Sequence, residues 1–356
     1  MKNRVVQRGL RNPCRVLVTG AGSGVGQGIV KALRSSGLPV TVIAADISPM
    51  NVGLYRADEA VLIPRVESPD ALNAIVTVLS YHKIDVVMIG SEFDLSFFSA
   101  KRQEIEYLSG AIVIAAPFRT VAIADDKWLT TEFLREHGLP FAEAYLPIDA
   151  ADALRLADSW GYPIVLKTRR GTSSRHVYIV KNYDELRKLY PETPAPMLQR
   201  VIDVPSPHLD SEYTCSVFKT TDRKMIGPFT ARRTLRNGTS WHIEVAEFEQ
   251  LHVPLLAIAS AIDYIGSLNV QLMLTEQGMI PFEINARFSG TTSVRAHFGF
   301  NEPAMALLSF FYKEDVPTPK IRTGIAMRYL EEVFIEGASK QSLNPSQHKG
   351  RVNPWF

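Results

Sequence analysis

Cysteine is nearly missing from this sequence. Cys14 and Cys215 are the only two in 356 residues, so at most one bridge can form. A disulfide framework is thereby excluded, and a reducing cytoplasm is the expected setting. Long apolar runs are missing too. No stretch approaches the roughly 18 residues that a membrane-spanning helix needs, so no membrane partner is expected. Charge of one sign is scarce: the formal net charge is only +2, which asks for neither a nucleic acid nor an anionic surface. Histidines in ligand spacing are absent, and His242, His252 and His297 read as structural. The basic start, MKNRVVQRGLRNP, has no apolar run behind it before Val16 and does not read as a signal peptide. There is no internal repeat and no low-complexity block. What is present is an ordinary globular composition, 46% hydrophobic and 21% charged, in a chain long enough for two or three structural units.

Residues 1–12 read as a tail. From there to about residue 117, short apolar runs (15–19, 40–45, 61–64, 85–90 and 111–115) alternate with helical patterns at 26–36 and 70–82. That alternation predicts a parallel sheet with helices on its faces. A second region begins near 118. Helical spacing marks 125–138, 150–160, a long stretch at 245–264, and 301–312. Strands are expected at 163–167, 176–180, 197–202, 212–218, 225–230, 269–274, 279–284 and 324–329, which together make an α+β unit. Residues 231–241 read as a loop after a strand, either solvated or lining a substrate pocket. Residues 337–356 read as a second tail, with Trp355 and Phe356 able to dock.

The stretch TGAGSGVGQG at 19–28 follows a strand and opens a helix. Thr19, Gly20, Gly24 and Gly26 fit the TGxxxGxG turn of short-chain dehydrogenases, and Asp46 at the end of the next strand could hold a ribose hydroxyl. That chemistry needs a tyrosine acidified by a lysine four residues on. Tyr107, Tyr162, Tyr213, Tyr264 and Tyr329 all lack one. The glycines therefore read as a tight strand-to-helix turn without a dinucleotide, and an NAD-dependent oxidoreductase is the weakest of the alternatives.

The chemistry concentrates at 281–290, PFEINARFSG. Glu283, Asn285 and Arg287 alternate along a strand, so their side chains share one face. A carboxylate and an amide oxygen suit magnesium, and an arginine beside them can meet the charge of a transferring phosphoryl group. A turn at 276–278 joins this strand to the one carrying Gln271, so Gln271 could sit near Glu283 as a third oxygen ligand. Lys127 follows Asp125 and Asp126 at a helix start. Lys167 ends a buried strand before the small-residue loop TRRGTSS, whose amides and hydroxyls at Gly171, Thr172, Ser173 and Ser174 can close over phosphates. On the substrate side, Arg232, Arg233 and Arg236 flank a flexible Gly238 and can hold a carboxylate or phosphate. The segment from Ser289 to Arg295 follows the metal strand, and Glu92 lies at the carboxyl end of the first sheet, placed to hold a substrate amine.

In their order these pieces resemble the ATP-grasp superfamily, and in particular a stand-alone protein similar to one half of the carbamoyl phosphate synthase large subunit. The resemblance covers about residues 14–335. It implies a Rossmann-like pre-ATP-grasp domain at 13–117, an ATP-grasp small lobe at 118–200 and a C-terminal lobe with the metal site at 201–336. It implies phosphate contacts from Lys127 and Lys167, adenine reading by the segment Gln199, Arg200, Val201 and Ile202, and ribose binding by Glu212. It places Gln271, Glu283 and Asn285 at magnesium positions, with manganese as a substitute. Arg287, beside the transferred phosphate, and Lys167 are the catalytic pair. Two departures stand out: Ser174, Arg175 and His176 replace a usual second glycine of the phosphate loop, and Ser216 stands where an aspartate is common. The implied activity is an ATP-dependent carboxylate-amine ligase working through an acyl phosphate on small-molecule substrates. A kinase of bicarbonate or carbamate and a catalytically silent nucleotide-binding regulator are the alternatives. A homodimer through the first domain is the implied assembly.

Overall fold

In this computed structural model, residues 11–171, 176–204 and 211–352 are described. The first unit is built on short aliphatic strands: β1 (Cys14–Val18), β2 (Val40–Asp46), β3 (Glu59–Leu62), β4 (Val86–Met88) and β5 (Ile112–Ile114). All pair in parallel, in the order β3-β2-β1-β4-β5. The order reverses between β1 and β4, so the crevice beyond their carboxyl ends is where a ligand fits an open sheet of this kind. Helix α1 (Gly24–Arg34) starts at that crevice, as does α3 (Glu92–Ala100); α2 (Ala71–Tyr81) and α4 (Arg102–Ser109) complete the layers. The close approach of α1 to the sheet depends on glycine. A Cβ on Gly26 would lie 2.3 Å from the Gly20 carbonyl, and one on Gly90 2.3 Å from the Thr19 carbonyl.

Helices α5 (Phe118–Asp125) and α6 (Lys127–Glu136) lead into a small lobe. Its antiparallel sheet has the order β6-β9-β7-β8, from β6 (Ala144–Tyr145), β7 (Ile164–Thr168), β8 (Val177–Val180) and β9 (Pro196–Arg200). With α7 (Ala150–Trp160) and α8 (Tyr183–Leu189) it encloses its own core around Ala153, Ala157, Ile164, Leu166 and Leu186.

The remainder forms a seven-stranded sheet: β10 (Glu212–Lys219), β11 (Met225–Phe229), β12 (Ala231–Arg236), β13 (Thr239–Val245), β14 (Gly266–Thr275), β15 (Gly278–Asn285) and β16 (Gly324–Met327). The order is β15-β14-β10-β12-β13-β16, with β11 beside β10. Helix α9 (His252–Ala261) packs on β10 and β11, while α10 (Thr292–His297) and α11 (Glu302–Ala306) pack on α1. Hydrophobic clusters run unbroken from the first sheet into this one: Leu17 and Val87 share a core with Val217 and Val270.

Several expectations are corrected. Residues 231–241 are not a loop but the hairpin β12–β13. Asn237 and Gly238 turn it with φ of 50° and 71°, the left-handed pair that a two-residue hairpin turn requires. The long helix expected at 245–264 is only α9, ten residues long, because Val245 still pairs with Ala231 in the sheet. Helices α3 and α4 fill a stretch for which no element was expected. Neither tail is loose where it is described. Arg11 pairs with Glu314 at 2.7 Å, Phe334 bridges to Arg351, and Lys349 Nζ donates to the Asp58 carbonyl at 2.8 Å. Trp355 and Phe356 lie outside the described residues.

Candidate active site

Strand pairing assembles the centre of the site. Gln271 on β14 lies directly opposite Glu283 on β15, and Asn269 lies opposite Asn285. Glu283 Oε1 accepts from Gln271 Nε2 at 3.1 Å and from Asn285 Nδ2 at 2.8 Å. Arg287 donates to Asn285 Oδ1 at 3.0 Å and to its neighbour's carbonyl at Phe288 at 2.8 Å. The alternation of the strand thus puts one carboxylate and two amides on one face. Among the described residues no three His, Cys, Asp or Glu side chains gather as a metal set, so this mixed oxygen set is the candidate. The Glu283 carboxylate and the amide oxygens of Gln271 and Asn285 are hard donors of the kind that magnesium takes.

The lysines are held by separate devices. Asp126 caps α6, accepting from the Trp128 amide at 3.0 Å and the Leu129 amide at 3.3 Å, and it also binds Arg169 through two bonds of 3.1 and 2.6 Å. Burial pushes its carboxyl pKa up, but Arg169 and the helix amides outweigh that and hold it below the usual range. This clamp ties the start of α6 to the end of β7 and aims Lys127, whose Nζ donates to the Gly171 carbonyl at 3.0 Å. Lys167 is buried at the end of β7 and donates to Gln199 Oε1 at 2.6 Å. Burial first, and Lys127 second, push its pKa down to about 7, against the pull of Glu283.

Lys127, Lys167, Gln271, Glu283 and Arg287 line one continuous cleft of about 580 Å³, while Asn285 lines a small second cavity with Lys127, Glu283 and Arg287. At one end of the cleft Val165, Val177, Ile179, Val201 and Ile202 form an apolar slot between the lobes. In the middle lie Glu212, Gln271, Glu283 and Arg287, and the far end opens on Ser23–Val25 and Gly90–Phe93 of the first unit. Gly171, Gln199, Arg233 and Ser289 also line it. Arg200 does not: its side chain pairs with Glu143 at 2.6 Å and stacks on Trp160, because the strand alternation turns it outward. Thr172, Ser173, Ser174 and Arg175 lie outside the described residues. His176, where a second glycine was expected, takes a φ of 52°, the left-handed conformation that glycine adopts without strain.

The candidate substrate residues separate. Glu92 is not free to meet an amine; its carboxylate forms an ion pair with Arg287. Arg233 enters the cleft and bridges Glu212 (Nε to Oε1, 3.0 Å) and Gln271 Oε1 (2.7 Å). Arg232, one residue away on the strand, points to the other face and pairs with Glu244 at 2.5 Å, and Arg236 stacks on Trp241. Ser289 is buried against Thr291, 2.7 Å between hydroxyls. Arg295 is not in the cleft at all. It is wholly buried behind β14, paired with Glu302 at 3.2 Å and donating to Asn269 Oδ1. Glu302 also lies 2.5 Å from the Ser216 hydroxyl, so the acid missing from position 216 is supplied by α11. Arg328, which follows β16, lines the cleft and was not anticipated. The glycine turn is closed by its own chain: the Asp46 carboxylate accepts from the Gly22 amide at 2.7 Å, and Asn51 donates to it as well. A ribose hydroxyl finds that carboxylate already engaged.

Residues 16–114 match the family of PylC-like N-terminal domains, and residues 124–291 match the ATP-grasp domain. The fold is thus that of an ATP-grasp protein. More particularly, the chain carries a PylC-like N-terminal domain followed by an ATP-grasp domain, and it is homologous to parts of the carbamoyl phosphate synthase large chain. The large chain from Thermus thermophilus is 22% identical over 308 residues, 78% of this chain and 28% of that one. The carbamoyl-phosphate synthase of Methanobrevibacter smithii is 24% identical over 173 residues, 48% of this chain and 45% of that one. The chain spans less than half the length of these curated relatives. Among solved structures, N5-carboxyaminoimidazole synthetase from Staphylococcus aureus superposes with a TM-score of 0.71 at 15% identity, covering 95% of this chain and 92% of that one. The biotin carboxylase domain dimer of Hydrogenobacter thermophilus 2-oxoglutarate carboxylase, solved with MgADP, ADP and bicarbonate, gives 0.70 at 16%, covering 96% and 83%. At these identities the likeness is one of fold. Among the described residues no helix is long and apolar enough to cross a membrane.

Proposed function

We propose that this chain is an ADP-forming ligase that joins a small carboxylate to an amine through an acyl phosphate. The observation that carries the reading is the convergence of Lys127, Lys167, Gln271, Glu283 and Arg287 on one cleft, with Asn285 in a small second cavity that Lys127, Glu283 and Arg287 also line. In this reading the adenine lies in the apolar slot beside Val201 and Ile202, and the ribose lies near Glu212. The phosphates lie under the loop at Gly171, with Lys127 and Lys167 as their cations. Gln271, Glu283 and Asn285 hold magnesium, with manganese as a substitute. When bound, the metal offsets charge on the phosphates.

The carboxylate oxygen attacks the γ-phosphorus, the bond to the β-phosphate oxygen breaks, and ADP leaves. The amine nitrogen then attacks the acyl carbon, the carbon–oxygen bond to phosphate breaks, and the amine proton leaves with phosphate or solvent. Arg287 faces the oxygens on which charge builds up. It must first exchange Glu92 for the ligand. Homology to carbamoyl phosphate synthase favours bicarbonate as a second candidate for the activated carboxylate. The test is ADP release with magnesium and ATP across pairs of amino acids and small carboxylates, with bicarbonate as a separate arm. A paired requirement for carboxylate and amine supports the ligase. Release with bicarbonate alone moves the assignment to the kinase, and no release with any pair moves it to a silent binder.

A further inference from the structure

We propose that the free edge of β16 is a self-association surface, where two copies of this chain join antiparallel, strand to strand, into one continuous sheet. The proposal does not depend on the ligase reading, and it places the contact on the large sheet rather than on the first unit.

Strand β16 ends its sheet and, among the described residues, pairs with β13 alone. The Arg328 amide donates to the Trp241 carbonyl at 3.0 Å. An antiparallel ladder turns alternate residues toward the partner strand. The backbone groups of Gly324, Ala326 and Arg328 therefore face β13, and Ile325, Met327 and Tyr329 aim their amides and carbonyls away from it. A row of unpaired backbone groups of this kind is a template for another strand, and sheets usually blunt it. Here the usual safeguards are missing. No proline, lysine or bulge interrupts 324–329, and the one charged side chain in that stretch, Arg328, turns back to donate to the Gly290 carbonyl. The opposite edge strand of the sheet, β15, is by contrast packed by α5 and α6.

Apolar side chains stand along the same edge. Ile325 is 68% exposed and Met327 72%, and Tyr329 and Leu330 are exposed beside them. Pairing about a two-fold axis at Ala326 sets Ile325 of each copy opposite Met327 of the other, as hydrogen-bonded pairs whose side chains cover one another. Charge selects a second copy as the occupant. Lys320 and Arg322 precede the strand, Glu331 and Glu332 follow it, and all four are exposed. An antiparallel arrangement brings the basic arm of each copy to the acidic arm of the other, whereas a parallel one sets like against like. The edge is thus complementary to itself, as a two-fold contact requires.

The test is sedimentation velocity of the full chain, without nucleotide, over a range of concentrations. The native chain is expected to form a dimer that dissociates on dilution. Ile325→Lys combined with Met327→Lys is expected to weaken association about tenfold or more while the melting temperature stays near native. Two charge-reversed chains lie outside the strand and carry the test should the lysine variant fail to fold. One combines Lys320→Glu with Arg322→Glu, the other Glu331→Lys with Glu332→Lys. Each then bears arms of one sign, so each is expected to associate about tenfold or more weakly alone and to form a mixed dimer when the two are combined. A native chain that stays monomeric at every concentration overturns the proposal. So does a dimer that all the variants retain, which would lie on another face, and so do charge-reversed chains that fail to associate on mixing.

Discussion

Glu92, at the start of α3 in the first unit, forms an ion pair with Arg287, which follows β15 in the large sheet. The contact crosses from one unit to the other at the centre of the cleft. The side chain of Arg287 is only 9% exposed and that of Glu92 27%. Burial lowers the Arg287 pKa to about 10, with Arg295 adding to the effect.

Glu92→Gln therefore leaves a buried guanidinium short of its counter-charge. Stability to urea is expected to fall by about 1–3 kcal/mol, while the affinity for a nucleoside triphosphate holds or rises, because a competing negative charge is gone. A variant as stable as the native chain but unable to bind nucleotide would reverse both expectations.

The pKa of Lys167, pushed down to about 7 from an ordinary 10.5, gives a pH dependence of known sign. Between those two values the unfolded chain holds a proton that the folded chain has released. Stability of the ligand-free protein therefore rises with pH across this window, and the burial penalty is fully present below it. Lys167→Met removes that slope. Binding of a triphosphate restores the charge, so titration calorimetry in buffers of different ionisation heat should record proton uptake at about pH 8 in the native chain and none in the variant. Identical slopes in the two proteins would refute the assignment.

Arg295 and Glu302 are both fully buried. Arg295→Met leaves Glu302 charged and unpaired, with an expected loss of about 3–5 kcal/mol. Replacing both, Arg295→Met with Glu302→Leu, should recover much of it. Because Arg295 also orients Asn269, opposite Asn285, the double variant should fold yet bind metal–nucleotide more weakly. Losses that simply add would show that the two side chains do not act as a pair.

How much of this was legible in the sequence depends on the range of the forces involved. Glu283, Asn285 and Arg287 were legible because strand alternation is local, and Gln271 as a neighbour across the turn; its pairing with Glu283 was not, because the turn alone sets it opposite Phe282 and a register shift between Gln271 and Leu272 moves it to Glu283. Lys127 and Lys167 were legible at the ends of elements with clear periodicity. Arg295 was misplaced because α10 begins three residues before it and turns it into the core. The hairpin β12–β13 was missed even though Asn237–Gly238 announces it; the arginines on both faces hid the alternation. Helix α3 went unseen because buried Asp94 and Ser99 interrupt its apolar face. Arg328 could not be found locally at all: it reaches the cleft only because β16 joins β13 across more than eighty residues of chain.

The central claim is tested most directly by titrating Mn²⁺ into the protein with ADP present and following bound metal by electron paramagnetic resonance. The account predicts nucleotide-dependent metal binding that Glu283→Gln weakens about tenfold or more, while its unfolding transition stays near that of the native chain and its ADP release falls about a hundredfold or more. Native-like metal binding and turnover in Glu283→Gln would contradict it.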